Sequence, residues 1–174
     1  EADSPTGPWR DPIGKQIISR ETPGCSGSEI GWLFDPAVLV DDDGTGYLYF
    51  GGIGNTAGKP DDFIKNPKCG RVVKLADDMV SLAGDPVTID APYMFEDSGI
   101  NKIGDKYYYS YCTNWTNVSG RDENIPAANI AVMESDNPMT GFKFVGCVLK
   151  NPGTYFGASG NNHHCFAEFK GTWY

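Results

Sequence analysis

The stretch Phe34-Asp35-Pro36-Ala37-Val38-Leu39-Val40-Asp41-Asp42-Asp43-Gly44-Thr45-Gly46-Tyr47-Leu48-Tyr49-Phe50-Gly51-Gly52 decides how this chain folds. Two short runs of apolar, β-branched and aromatic residues, 37–40 and 47–50, flank an Asp/Gly turn, which is the pattern of a β-hairpin. A carboxylate, Asp35, stands just ahead of it. The design recurs at Phe95-Glu96-Asp97-Ser98, which leads into residues 99–103, a Gly104-Asp105 turn and the aromatic run 106–111. It recurs again at Asn162-His163-His164, followed by 165–169, a Lys170-Gly171 turn and Thr172-Trp173-Tyr174. Each repeat predicts a proton-exchanging side chain immediately before its first strand.

The spacing is regular: 61 residues separate Asp35 from Glu96, and 67 separate Glu96 from His163. A second marker agrees. Asp3-Ser4-Pro5-Thr6-Gly7-Pro8-Trp9 is echoed 133 residues later by Asp136-Asn137-Pro138-Met139-Thr140-Gly141-Phe142, each placing a Pro/Gly turn before an aromatic residue expected to begin an outer strand. Between the markers, 70–75 and 86–90 read as third and fourth strands of one unit, and 129–134 and 142–149 as those of the next. Stretches of helical period are absent. A repeat of several short strands at this length reads as a blade of a β-propeller.

On this reading residues 1–31 end one blade, 32–93 and 94–159 are whole blades, and 160–174 begin another. That gives about two and a half to three blades, below the roughly four to eight that close a propeller. Bare strand edges are aggregation hazards, so the chain is expected to be a fragment or to be completed by another polypeptide.

Composition supports an all-β fold: 174 residues, 40% of them apolar and 13% aromatic, with 22 Gly and 12 Pro, suit short strands joined by tight turns. A net charge of −9 argues against nucleic acid, whose phosphates demand clustered Lys and Arg. No run approaches the ~20 apolar residues that span a bilayer. The five cysteines, Cys25, Cys69, Cys112, Cys147 and Cys165, show no Cys-x-x-Cys spacing and read as scattered core thiols more than as a zinc site or disulfide framework. Asn114-Trp115-Thr116 and Asn117-Val118-Ser119 match the glycosylation triplet, a pattern too common to decide anything.

First strands of propeller blades line a central channel, which would gather Asp35, Glu96 and His163 at one end of it. Two carboxyl groups across a polar funnel suit glycosidic cleavage, in which one must stay protonated to supply the leaving oxygen. Asp41-Asp42-Asp43-Gly44 reads as a hairpin turn and not an EF-hand loop, because Gly52 stands where the closing Glu would be.

The three motifs, Phe34-Asp35-Pro36-Ala37-Val38 with Asp41–Phe50, Phe95-Glu96-Asp97-Ser98-Gly99-Ile100-Asn101-Lys102, and Gly160-Asn161-Asn162-His163-His164, resemble glycoside hydrolase family 43, above all its arabinoxylan arabinofuranohydrolases. The resemblance implies a five-bladed propeller and an inverting hydrolase that removes arabinofuranosyl groups from xylan. It implies that Glu96 is the general acid and that Asp35 tunes and orients it. His163 would help hold a channel ion, often calcium, or order the pocket, and Trp115 would lie near the sugar. Of the adjacent histidines, the resemblance selects His163 to face the channel while His164 turns away. The family commonly has Glu-Gly at the acid; here Asp97 follows Glu96, and it would raise the pKa of Glu96 by like-charge repulsion if it pointed inward, though strand alternation predicts that it points away.

The family's general base belongs to a first blade upstream and has no counterpart here. Asp11-Pro12 has the dipeptide without the aromatic hairpin behind it. The chain by itself is therefore expected to be nearly inactive. β-Xylosidase or arabinanase activity, and a non-catalytic carbohydrate-binding remnant, stay open as alternatives. Because polymeric xylan lies outside cells, a secreted protein is expected.

Overall fold

The computed structural model describes residues 1–158, 160 and 162–174. Ser159, which closes the expected blade 94–159, and Asn161 of the histidine motif lie outside the described residues. The first hairpin forms where the sequence places it. Strands β1 (Ala37–Val40) and β2 (Gly46–Phe50) pair antiparallel with Val40 opposite Gly46. Their loop is closed by the Asp41 amide donating to the Thr45 carbonyl and the Gly44 amide donating to the Asp41 carbonyl, each at 2.9 Å. Gly44 sits at φ 83°, a left-handed conformation that costs glycine little. Strands β3 (Gly70–Lys74) and β4 (Val87–Ile89) complete a four-stranded antiparallel sheet in chain order.

A second four-stranded sheet repeats the pattern with β5 (Met94–Ile103), β6 (Lys106–Thr113), β7 (Ile130–Ser135) and β8 (Lys143–Leu149). A hairpin of β9 (Glu168–Phe169) and β10 (Thr172–Trp173) comes last. Two single-turn helices interrupt the connections, α1 (Asp61–Lys65) and α2 (Gly153–Phe156). One turn is too short to leave a 3.6-residue period, which is why the sequence shows none.

Three expectations are corrected. No strand forms within residues 1–31, and Trp9 is 69% exposed instead of opening an outer strand. Pro5, Pro8, Pro12 and Pro23 each lack the amide a ladder needs, and the segment runs as turns. Arginines hold part of it: Arg20 donates to the carbonyls of Ile30 and Gly31 at 2.6 Å each, and buried Arg71 donates to that of Gly24 at 2.9 Å. Secondly, β5 starts at Met94, so Glu96 lies inside the strand and not ahead of it. Thirdly, β9 is only two residues long, leaving 163–167 outside any strand.

The sheets meet through a stack of tyrosines. Tyr49 of β2 and Tyr109 and Tyr111 of β6 are fully buried, with successive ring centroids 5.9 Å apart. Every hydroxyl finds a partner: Tyr49 on the Pro138 carbonyl, Tyr109 on Ser98 and Tyr111 on the Pro92 carbonyl, as buried tyrosines require. All five thiols are free; Cys25, Cys69 and Cys112 are core residues, while Cys165 is exposed.

A polar lock joins the hairpin loop to the second sheet. Lys102 Nζ donates to Asp41 Oδ1 at 2.5 Å and Asp42 Oδ2 at 2.8 Å, and the Tyr107 hydroxyl donates to Asp41 Oδ2 at 2.5 Å. Burial pushes the Asp41 carboxyl up, but hydrogen bonds from Lys102, Tyr107 and the Asp42 amide outweigh it and hold it below the usual carboxylate range. The acidic run is thereby committed to the turn and its lock. Lys102→Met should lower the melting temperature by roughly 3–8 °C, since it strands a half-buried carboxylate. Because the folded-state value is depressed, the Asp41 contribution is present above its unfolded value of about 3.9 and is lost as pH falls through the folded one. The gap between wild type and variant should therefore close in acid, which thermal melts at a series of pH values would read.

Candidate active site

Asp35 stands two residues before β1, at φ 49°, and its Oδ2 accepts the amide of Asp97 at 3.1 Å. Glu96 lies on β5, 6% exposed, where the strand is irregular. Between Met94 and Glu96, and again between Glu96 and Gly99, β5 carries one more residue than β6. Asp97 falls in the second bulge at φ 67°. Left-handed backbone at a non-glycine residue is uncommon, and here it breaks the strand's alternation.

The consequence corrects the expectation that Asp97 turns away. Its Oδ2 accepts both the amide (3.2 Å) and Nδ1 (2.6 Å) of His164, while Oδ1 lies 3.6 Å from Nδ1 of His163. His163 Nε2 is 3.2 Å from Glu96 Oε1. Both histidines thus face the acidic group, because residues 163–164 are not in a strand and need not alternate. Asp35, Glu96 and His163 come together, each offering an atom within 4.8 Å of the others.

Burial raises the Glu96 carboxyl above its ordinary value; His163 opposes this, and the charges of Asp35 and Asp97 reinforce it. For His163, burial works against the charged form, but Asp97, the hydrogen bond to Glu96 and the charge of Asp35 prevail and raise it. Both shifts favour a proton at the contact of Glu96 with His163. A carboxylic acid so held can donate a proton.

A cleft of about 350 Å³ is lined by Asp35, Asp97, Gly99, His163, His164 and Cys165 among others. Glu96 is not on its wall and lies against His163. Trp115 is half-buried in the loop after β6 and does not line the cleft either. That loop is gathered by Arg121, which donates to the carbonyls of Asn114, Thr116 and Ile125. Asn114 is fully buried, which removes it as a glycosylation acceptor in the folded chain.

Sequence alone does not single out Trp32. Its ring packs edge-on against Phe34 and Phe95, at 5.0 and 5.6 Å, the residues just before Asp35 and Glu96. Phe34 and Phe95 are visible as part of the repeated motif; the signal that points to their shared partner is weaker, an aromatic residue two positions before each Phe, Trp32 in the first repeat and Tyr93 in the second.

A buried acid held towards its protonated form beside a carboxylate and an imidazole, on an all-β scaffold, is the equipment of a glycoside hydrolase. The sequence matches the model for glycosyl hydrolases family 43 over residues 1–174, and the chain belongs to that family. It is 55% identical over 173 residues to an arabinoxylan arabinofuranohydrolase of Paenibacillus polymyxa, covering 99% of this chain and 26% of that protein. It is 52% identical over 174 residues to an arabinoxylan arabinofuranohydrolase of Bacillus subtilis (strain 168), covering 99% of this chain and 33% of that one. A crystal structure of a family 43 arabinoxylan arabinofuranohydrolase from Bacillus subtilis, in complex with cellotetraose, superposes with a TM-score of 0.93 at 51% identity, covering 99% of this chain and 35% of that chain. The all-β fold thus matches family 43 structures, which are propellers. The chain spans about a quarter to a third of the length of these curated relatives.

Proposed function

We propose that this chain is part of an inverting glycoside hydrolase that releases arabinofuranosyl side groups from arabinoxylan outside the cell, contributing about two and a half to three blades of a five-bladed propeller. The observation that carries this reading is Glu96, buried and held towards its protonated form by burial and by the carboxylates of Asp35 and Asp97. As the bond between the arabinose anomeric carbon and the xylan oxygen breaks, Glu96 gives its proton to that oxygen. Asp35 and His163 hold the acid's charge and orientation. A water molecule attacks the anomeric carbon from the opposite face and loses its proton to a general base.

Asp35 is not that base. Its carboxylate lies within 4.8 Å of an atom of Glu96, whereas an acid and base with water between them need roughly 6.5–9.5 Å. The base is supplied by a segment beyond residues 1–174, together with the blades that complete the ring. The apolar face formed by Ile17, Leu33, Phe34, Val38 and Leu48 is where such a blade would pack. Trp32 and Trp115 offer aromatic rings for a sugar face, Trp32 packing on the phenylalanines that precede Asp35 and Glu96.

The calcium ion implied by the resemblance finds a poor donor set. Calcium takes about six to eight oxygens, while this group offers two carboxylates and an imidazole, and both ring nitrogens of His163 already face carboxylates.

The test is product stereochemistry. Proton NMR of the reaction on arabinoxylan, run with the full chain as its own cell makes it, should show arabinose appearing first as the anomer opposite to that of the bond cleaved. Retention of configuration, release of xylose in its place, or no turnover of any arabinoside would each defeat the reading.

A further inference from the structure

Asp97, His164 and Ser110 form a chain with the spacing of a nucleophilic Ser-His-Asp triad. Asp97 Oδ2 is 2.6 Å from His164 Nδ1, and His164 Nε2 is 2.6 Å from Ser110 Oγ. A carboxylate can only accept, so Nδ1 carries a proton, and Nε2 and the Ser110 hydroxyl share the second hydrogen bond. The arrangement is nevertheless not an esterase or protease site. Ser110 is fully buried in β6, between β5 and β7, and opposite Gly99. No acyl carbon can reach its oxygen.

We propose instead that Asp97, His164 and Ser110 are positioning residues: a buried hydrogen-bond relay that clamps the strandless segment 162–166 onto β5 and β6 and so seats His163 against Glu96. Three observations converge. Segment 162–166 has no ladder of its own, and its described hydrogen bonds to the rest of the fold run through side chains: the relay, His163 Nε2 with Glu96 Oε1 at 3.2 Å, Asn162 Nδ2 to the Ala128 carbonyl at 2.8 Å, and Asn101 Nδ2 to the Phe166 carbonyl at 3.4 Å. The side chain of Asp97 serves both histidines at once, one through each oxygen, and reaches them only because its φ is 67°. And Gly99 makes room: a Cβ there would lie 2.5 Å from Ser110 Oγ and 2.9 Å from His164 Nε2, displacing the contact the relay needs. His163 is one peptide bond away, so play in His164 is passed directly to the group that touches the acid. The clamp stands on this geometry alone, and only its effect on turnover rests on the glycosidase reading.

The experiment compares wild type with Asp97→Gly, Asp97→Asn, Ser110→Ala and Gly99→Ala in the full chain. Glycine suits φ 67°, so Asp97→Gly removes the carboxylate without adding backbone strain; asparagine tolerates that backbone and still accepts from Nδ1–H. Imidazole proton and nitrogen NMR should show a far-downfield, exchange-protected His164 Nδ1–H in wild type. It should persist in Asp97→Asn, vanish in Asp97→Gly and Gly99→Ala, and shift in Ser110→Ala, with the His163 ring resonances moving in Asp97→Gly. On arabinoxylan, whose leaving oxygen needs the proton of Glu96, Asp97→Gly should lose about 10–100-fold in kcat, with KM within about twofold, and Asp97→Asn should recover most of it. Absence of the protected proton in wild type, its survival in Asp97→Gly, unmoved His163 resonances or an unchanged kcat in Asp97→Gly would overturn the proposal. Ser110→Ala, which deletes one hydroxyl, decides it if the glycine variants do not fold. An inactive wild type that shows the proton, and loses it as stated, would retire the glycosidase reading and leave the clamp standing.

Discussion

Glu96→Gln should reduce kcat on xylan-linked arabinose by about 10²–10⁴-fold, the span that general acid catalysis supplies. The variant keeps the size of the side chain and its hydrogen bond to His163 but carries no proton to give. The loss should depend on the leaving group. An aryl arabinofuranoside whose phenol is strongly acidic departs without protonation, so the same substitution should cost far less there. Wild-type kcat should fall as pH rises through the raised value of Glu96, since only the protonated form is competent, and that alkaline limb should be missing from the variant. A uniform loss on both leaving groups, with the limb intact, would assign the acid to another residue. The folded-state linkage has the same sign: a raised carboxyl binds its proton more tightly in the folded chain, so its contribution to stability is complete below the unfolded value and is lost as pH rises through the folded one.

Legibility in the sequence depends on which interactions are local. Hairpin 37–50 was readable because its turn chemistry and its strands lie within a few residues, and register is set by the turn. The spacing of Asp35, Glu96 and His163 was readable because a repeated unit carries its own ruler. Features set by non-local packing were not. Nothing in Glu96-Asp97-Ser98 announces that β5 gains residues there relative to β6, yet that bulge and φ 67° at Asp97 decide which way a carboxylate points. His164 looked like the outward neighbour of His163 because alternation assumes a strand, and the segment forms none. Residues 3–9 echo 136–142 only in a turn motif, which does not dictate the conformation of the residues after it. After Gly141 the chain enters β8; after Gly7 it meets Pro8, which has no amide for a ladder.

Asp35→Asn should produce the second large effect, a fall in kcat of about 10²-fold accompanied by a shift of the alkaline limb to lower pH. Asparagine is the informative replacement because it tolerates φ 49° and its carbonyl oxygen still accepts the Asp97 amide, so the bulge stays in place. What disappears is a negative charge next to Glu96. That charge is one of the influences raising the Glu96 carboxyl, after burial. Its removal favours ionisation, and the acid surrenders its proton at lower pH. The direction separates two roles that a loss of rate alone does not. A base at position 35 would instead remove the acid limb of the profile and leave the alkaline limb where it was. It would also be rescued by azide, which attacks without deprotonation; a tuning carboxylate gains nothing from that anion. The tuning role is the one that fits an Asp35 atom within 4.8 Å of an atom of Glu96, short of the roughly 6.5–9.5 Å that separates acid from base in inverting glycosidases.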